Sequence, residues 1–128
     1  MLIYLTYCSA QKNFSKKEIS AIELYDSKRI SNIARRAKKD NIHFCILSGK
    51  YGLLDLDQKI AYYNHLLKPS EVESHSRCIA TQITSKKITK IVFFTKPVET
   101  DPNLLPYIAC IESACEKANI ELKVLVIP

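Results

Sequence analysis

Four short apolar runs rich in β-branched and aromatic residues, each separated from the next by a stretch of helical periodicity, leave this chain few ways to fold. Residues 2–7, 42–47, 88–95 and 122–127 read as strands. After the first, Ile30, Ile33, Ala34 and Ala37 recur at helical spacing, and Arg35, Arg36, Lys38 and Lys39 mostly take the outer surface. After the second, Val72, Ile79, Ala80 and Ile83 form an apolar stripe, and Ser70 with Glu73 gives a capping-box start behind Pro69. A third helix begins near Asn103 and buries Tyr107, Ile108, Ile111, Ala114, Cys115 and Ala118, with Pro106 tolerated in its first turn. Residues 15–26 are ambiguous, a short helix opened by Ser15 and Glu18 being one option.

The order β-α-β-α-β-α-β predicts a single α/β domain over residues 1–128, three-layered, with a mostly parallel four-stranded sheet. Right-handed crossovers favour the strand order 2-1-3-4, which puts a topological switch between the first and third strands. Ligands of such sheets bind beyond the carboxyl ends of the strands. Residues 8–12, 48–63, 95–102 and the C-terminal end are therefore the segments where a site is expected.

With 128 residues and 47% hydrophobic content, one core is expected and two domains are not. The longest apolar runs fall far short of the roughly 20 residues that cross a bilayer, so no membrane span is expected. Met1 leads directly into a strand-like run without the features of a secretory signal, and the expected location is the cytoplasm. Five cysteines, none in a Cys-x-x-Cys pair, read as reduced thiols; Cys45 and Cys78 sit in apolar patterns, and Cys110 and Cys115 point about 140° apart on a helix. His43, His65 and His75 lack metal-ligand spacing, and no metal or other cofactor is expected. The net charge of +6 favours an anionic partner, nucleic acid or nucleotide, without requiring one.

Both glycines of the chain, Gly49 and Gly52, fall within four residues of each other directly after the second strand. Two glycines flanking Lys50 and Tyr51 suit a sharp turn with backbone N–H groups exposed at the strand's end, a corner that accepts anions. Ser48 adds a hydroxyl, Lys50 a compact positive charge, and Tyr51 a stacking face or phenol donor. The alternative is an ordinary strand-to-loop turn with Tyr51 as a lid on the core. The spacing is not that of a P-loop, so nucleoside triphosphate hydrolysis has no support.

The run Leu47-Ser-Gly-Lys-Tyr-Gly-Leu-Leu54, followed by Asp57, Ile60 and Tyr63, resembles the signature of YaaA-type proteins, which are linked to peroxide stress and DNA binding. It resembles more closely a family of small domains with Cys-Ser near the start and Leu-Ser-x-Lys-Tyr-Gly-Leu in the middle, themselves similar to the catalytic region of archaeosine synthase, a tRNA-modifying enzyme. The likeness covers about the first 70 residues. It implies a uracil-glycosylase-like α/β sheet and marks Ser48, Gly49, Lys50, Tyr51, Gly52 and Tyr63 as ligand-facing. Glu23, Tyr25 and Ser27 match an acidic-x-Tyr-x-Ser/Gly pattern of the small-domain family.

Cys8 stands at the expected carboxyl end of the first strand, with Ser9 next and Lys12 four residues on. An ammonium beside the thiol would favour the thiolate, which can add to an electrophilic carbon. Archaeosine synthase has a comparable Cys-x-x-x-Lys, but Asn13-Phe14-Ser15 departs from its continuation; YaaA-type proteins have a lysine near this point and no cysteine. A buried, inert thiol is the competing assignment for Cys8. Glu23 is either a general base near a lysine or a solvated carboxylate. Ser27 has a plain duty as an N-cap, and Tyr25 can be a core aromatic with a wet hydroxyl. Asp55 and Asp57 are expected in a loop, and Tyr63 either stacks on a nucleobase or joins the core. Two functions follow: an enzyme acting on a nucleobase or nucleotide, in nucleic-acid base modification, with Cys8, Lys12 and Glu23 as catalytic groups; or a non-catalytic DNA- or RNA-binding protein.

Overall fold

Ile3 and Leu5 on one face of the first strand, and Thr6 on the other, are all fully shielded from solvent. The strand that carries them must therefore lie mid-sheet with both faces covered. The computed structural model describes all 128 residues. In chain order its elements are β1 (Leu2–Tyr7), β2 (Ile19–Ser20), α1 (Ala21–Leu24), α2 (Lys28–Asp40), β3 (His43–Ser48), β4 (Gly52–Asp55), β5 (Lys59–Ile60), α3 (Val72–Ser85), β6 (Lys90–Thr95), α4 (Leu105–Ala118) and β7 (Glu121–Val126).

One mixed α/β sheet holds five strands in the order β4-β3-β1-β6-β7. β3, β1, β6 and β7 run parallel, and β4 is antiparallel to β3, pairing Ser48 with Gly52 and Cys45 with Asp55. The sheet thus has one strand more than the four expected, and Asp55 lies on that strand rather than in a loop. Leu53 and Leu54 are buried, and Gly52 at φ 75° lets the chain double back at once. β2 and β5 form a separate two-stranded ribbon with Ile19 opposite Ile60. In the ambiguous stretch 15–26 the optional helix opening at Ser15 does not form. Ser15 instead closes a turn on the Lys17 N–H, and only Ala21–Leu24 is helical.

The crossover through α2 steps from β1 to β3, and the one through α3 steps from β3 past β1 to β6. Right-handed connections then place α2 on one face and α3 with α4 on the other. Side chains agree. Tyr4 and Thr6 reach Asp40 and Arg29 of α2, while Tyr7, of opposite parity, meets Tyr107 of α4. Ser27 caps α2 by accepting the Ile30 N–H, as expected, and the two long helices that precede β3 and β7 end on left-handed asparagines, Asn41 and Asn119. At α3 the closing carboxylate is Glu71 on the Lys68 N–H, not Glu73, because a 3₁₀ turn over Pro69–Glu71 precedes the helix. The five cysteines are free; Cys78 faces solvent instead of the core. No helix is long and apolar enough to cross a membrane.

The Gly52 turn is clamped from α3. The Gln82 side-chain oxygen accepts the Leu53 N–H at 2.8 Å, and its amide nitrogen donates to the Tyr51 carbonyl at 3.0 Å. A Cβ on Gly52 would collide with the Gln82 Oε1 and would sit on a left-handed backbone. Gly52→Ala is therefore expected to lower unfolding free energy by about 2 kcal/mol or more, measured by urea denaturation.

Candidate active site

The site starts where β1 ends. The Cys8 N–H donates to the Leu47 carbonyl at 2.9 Å, carrying the β1–β3 ladder one residue further, and the buried Cys8 sulfur lies 3.8 Å from the Tyr107 hydroxyl. Arg29, in the first turn of α2, donates to Thr6 Oγ1 at 2.6 Å and to the Tyr7 carbonyl at 2.8 Å. Its guanidinium also stacks 3.6 Å from the Tyr7 ring centroid. These contacts fix the strand end against the helix start.

At the end of β3, the fully buried Ser48 accepts the N–H groups of Lys50 and Tyr51 at 3.1 and 3.0 Å. Those donors are spent inside the turn rather than offered to an anion. With both lone pairs taken, the Ser48 hydroxyl hydrogen must go to Tyr63 Oη, 2.7 Å away. Tyr63 in turn donates to Tyr25, its close partner, leaving the Tyr25 hydroxyl as the terminal donor. Burial pushes the phenols of Tyr25, Tyr63 and Tyr107 up, with the Cys8 sulfur adding to each shift. Lys12 and Lys50 both sit over Tyr63, their ammonium nitrogens 4.8 and 5.8 Å from its ring centroid.

Residues 61–68 cross this region as a strap and divide it. On one side is a cleft of about 400 Å³ beyond the ends of β1 and β6, lined by Cys8, Ser9, Lys12, His65, Asp101 and Tyr107 among others. On the other side is a second hollow of similar volume, bordered by Gly49, Lys50, Glu71 and His75. Tyr63 borders that hollow, and His65 borders both. His75 Nε2 donates to the Ser48 carbonyl at 2.8 Å.

Cys8, Ser9 and Lys12 thus share one cleft. Tyr25, Ser48 and Tyr63 form a buried hydroxyl chain beside it, and Lys50 opens on the second hollow. Tyr51 is half-buried, its ring edge-on to Tyr63 at 5.3 Å. Gly49 lies under the strap, and Gly52 serves the β3–β4 turn. Glu23 does not join them. It is exposed on α1 and accepts the Ser20 hydroxyl at 2.5 Å, bordering a separate shallow groove with Asn13 and Lys28. It cannot serve as a base toward Cys8 from there. Sequence reasoning did not single out Arg29 or Tyr107 and set His65 aside; it marked the segment 95–102 that holds Asp101 without naming the residue. Tyr107 left a signal of its own, a polar tip inside an apolar helical stripe.

A second cluster lies at the β3–β4 edge. His43 Nε2 and Cys45 Sγ stand 2.8 and 3.5 Å from Asp55 Oδ1, ligand types that suit a cation, but Lys86 Nζ already holds Asp55 Oδ2 at 3.0 Å. Burial and the Asp55 charge push the Cys45 thiol up to about 12. Burial alone would raise the Asp55 carboxyl. The hydrogen bonds from His43 and Lys86 outweigh it, and the net shift is downward.

A family model described as a family of unknown function, DUF6884, matches residues 3–97. The chain belongs to this family. The DUF6884 match takes in Cys8, Lys12, Tyr25, Ser48 and Tyr63, and stops short of Asp101 and Tyr107. No curated protein and no solved structure matches the chain.

Two expectations concern pH. A phenol whose folded pKa is raised contributes stability that is complete below its unfolded value near 10 and is lost as pH rises through the folded value. Tyr63→Phe should therefore flatten the alkaline loss of stability while costing roughly 1–3 kcal/mol at neutral pH, where it strands the Ser48 and Tyr25 hydroxyls. Phenolate absorbance combined with chemical denaturation measures both. Asp55 behaves oppositely: its depressed folded pKa gives stability present above its unfolded value of about 3.9 and lost as pH falls through the lower folded one. Asp55→Asn should make acid unfolding in that window less steep.

Proposed function

We propose that the protein binds a nucleobase or nucleotide in the Cys8 cleft and acts in nucleic-acid base modification, with Cys8 as its nucleophile. The observation that carries this reading is the convergence of the Cys8 thiol and the Lys12 side chain on one cleft at the carboxyl ends of β1 and β6. In a parallel sheet whose crossovers diverge on either side of that gap, this is where ligands enter. A volume of about 400 Å³ is in the range of small-molecule pockets. Tyr7 and Tyr107 give it aromatic walls, and Asn64, Asp101 and Asn103 supply groups able to bond a base edge. The likeness of residues 47–63 to YaaA-type proteins and to the archaeosine synthase region points the same way. The proposal includes the strand order 2-1-3-4 of a uracil-glycosylase-like sheet and a cytoplasmic setting.

In this reading Cys8 adds its sulfur to an electrophilic ring carbon and forms a C–S bond. The C=N electron pair passes to the ring nitrogen, and Lys12 relays the thiol proton to that nitrogen. Tyr107 orients the sulfur, and the Ser48–Tyr63–Tyr25 chain holds the wall beneath Lys12. The alternative, a binding protein without chemistry, predicts the same ligand with no role for the thiol.

Thermal unfolding with a panel of free nucleobases, nucleosides and nucleotides tests the reading. A ligand present at 100 times its Kd should stabilise the fold by about 2.7 kcal/mol. Lys12→Ala should abolish that shift, and Cys8→Ser should keep it while removing any covalent adduct seen by mass spectrometry. If no compound of the panel moves the transition, the assignment fails. If ligands of the panel stabilise the fold but none is turned over and no Cys8 adduct forms, the binding-only alternative takes its place.

A further inference from the structure

Phe14 and Tyr62 are 72% and 42% exposed, yet their rings meet edge-on with centroids 5.3 Å apart. Phe14 belongs to the excursion after β1 and Tyr62 to the strap after β5. The β2–β5 ribbon, with Ile19 opposite Ile60, locks these two segments side by side. Neither ring fills the core, and two large aromatics held together in solvent are costly unless something covers them. The surroundings are cationic. Lys16 and Lys17 follow Phe14 and Lys59 precedes Tyr62, all three exposed, with Lys12 adding a fourth positive charge against Glu18, Glu23 and Asp57.

The pair is continuous with the Cys8 cleft. Lys12, two residues before Phe14, and Asn64, two residues after Tyr62, both line that cleft. Two residues of extended chain span about 7 Å, so the aromatic pair lies at the cleft's rim. Leu66, half-exposed, lines the same opening.

We propose that Phe14 and Tyr62 form a stacking platform for the nucleotides that flank the base held in the cleft, so that the ligand is a base within a single strand of nucleic acid. This inference rests on the nucleobase reading of the cleft. Exposed aromatic faces accept any unpaired base, while lysines beside them follow the phosphates. In a duplex the bases stack on each other, and their faces are closed to such a platform. An apolar protein partner would find two rings and Leu66 set among lysines, too small and too charged a patch for a stable interface.

The test uses fluorescence anisotropy with labelled single-stranded DNA and RNA oligonucleotides, alongside mononucleotide-induced thermal stabilisation of the same proteins. Phe14→Ala with Tyr62→Ala should weaken strand binding at least about fivefold, the lower end for loss of one stacked base. Phe14→Tyr with Tyr62→Phe should bind like the parent, and both pairs should keep the parent's mononucleotide stabilisation, because the rim is exposed and the cleft untouched. Lys16→Ala with Lys17→Ala should reduce the salt dependence of strand binding. Unchanged strand affinity in the double alanine variant, or equal affinity for a duplex of the same sequence, overturns the platform while mononucleotide stabilisation keeps the cleft reading intact. Absence of both strand and mononucleotide binding removes the two together. The DNA and RNA arms tell which sugar the strand carries.

Discussion

The Ser48 hydroxyl is the point on which the site depends. It has no contact with solvent, and a hydroxyl in that position is costly unless all its hydrogen-bonding capacity is met. Two N–H groups from its own turn take the lone pairs, which commits the hydrogen to Tyr63 and sets the direction of every bond beyond it. Through Tyr63 and Tyr25 one hydroxyl ties the end of β3 to the strap and to the loop that opens α2. The Tyr63 ring, held this way, is the surface over which Lys12 and Lys50 are placed. The positive charge of the site is thus positioned by a neutral network, with no carboxylate in that chain.

That network also explains why the chain's two glycines sit where they do, for two different reasons. Gly52 is a conformational requirement of the hairpin. Gly49 is a matter of space: a Cβ there would stand 2.9 Å from the Tyr107 hydroxyl and 3.2 Å from the Leu67 nitrogen. Those two atoms are themselves hydrogen-bonded at 3.2 Å, so the bare backbone at Gly49 is what lets the strap close against α4. The corner that composition suggests as an anion cradle is in fact a packing joint. The groups left free to meet a ligand lie to either side of it.

The legible part of the fold is the part governed by period. Runs of buried β-branched and aromatic residues such as Ile91 to Phe94 cannot be hidden in a helix-flanked chain except as interior strands, and helical stripes such as Ile30, Ile33 and Ala37 face the sheet they cover. β4 was not legible because Leu53 and Leu54 make too short a run to carry a period, and its existence depends on Gln82 arriving from thirty residues downstream in the chain. The site was legible where residues cluster in sequence at strand ends, as with Cys8 and Lys12 or Ser48 and Tyr63. Glu23 was misplaced because it follows the chain excursion between β1 and α2, whose path is set by pairing with β5, a contact no local pattern announces. The His43–Cys45–Asp55 cluster escaped for the same reason: two members share a strand, and the third arrives across it.

The division of the cleft between matched and unmatched sequence carries a further consequence. The thiol, the lysine and the whole hydroxyl chain fall within the DUF6884 match at residues 3–97, while Asp101, Asn103 and Tyr107 on the facing wall fall outside it. The two halves are joined sparsely at this point. Tyr107 meets the Cys8 sulfur and the Leu67 N–H, and no bond runs from that wall to Ser48, Tyr63 or Tyr25. The exposed Asp101 and Asn103, unlike the buried Tyr107, can therefore change without disturbing the phenols that hold Lys12. On the proposed reading, this places the thiol and the lysine at the β1–β3 end of the sheet, and the Asp101 and Asn103 groups that would meet a ligand's edge in the segment leading into α4.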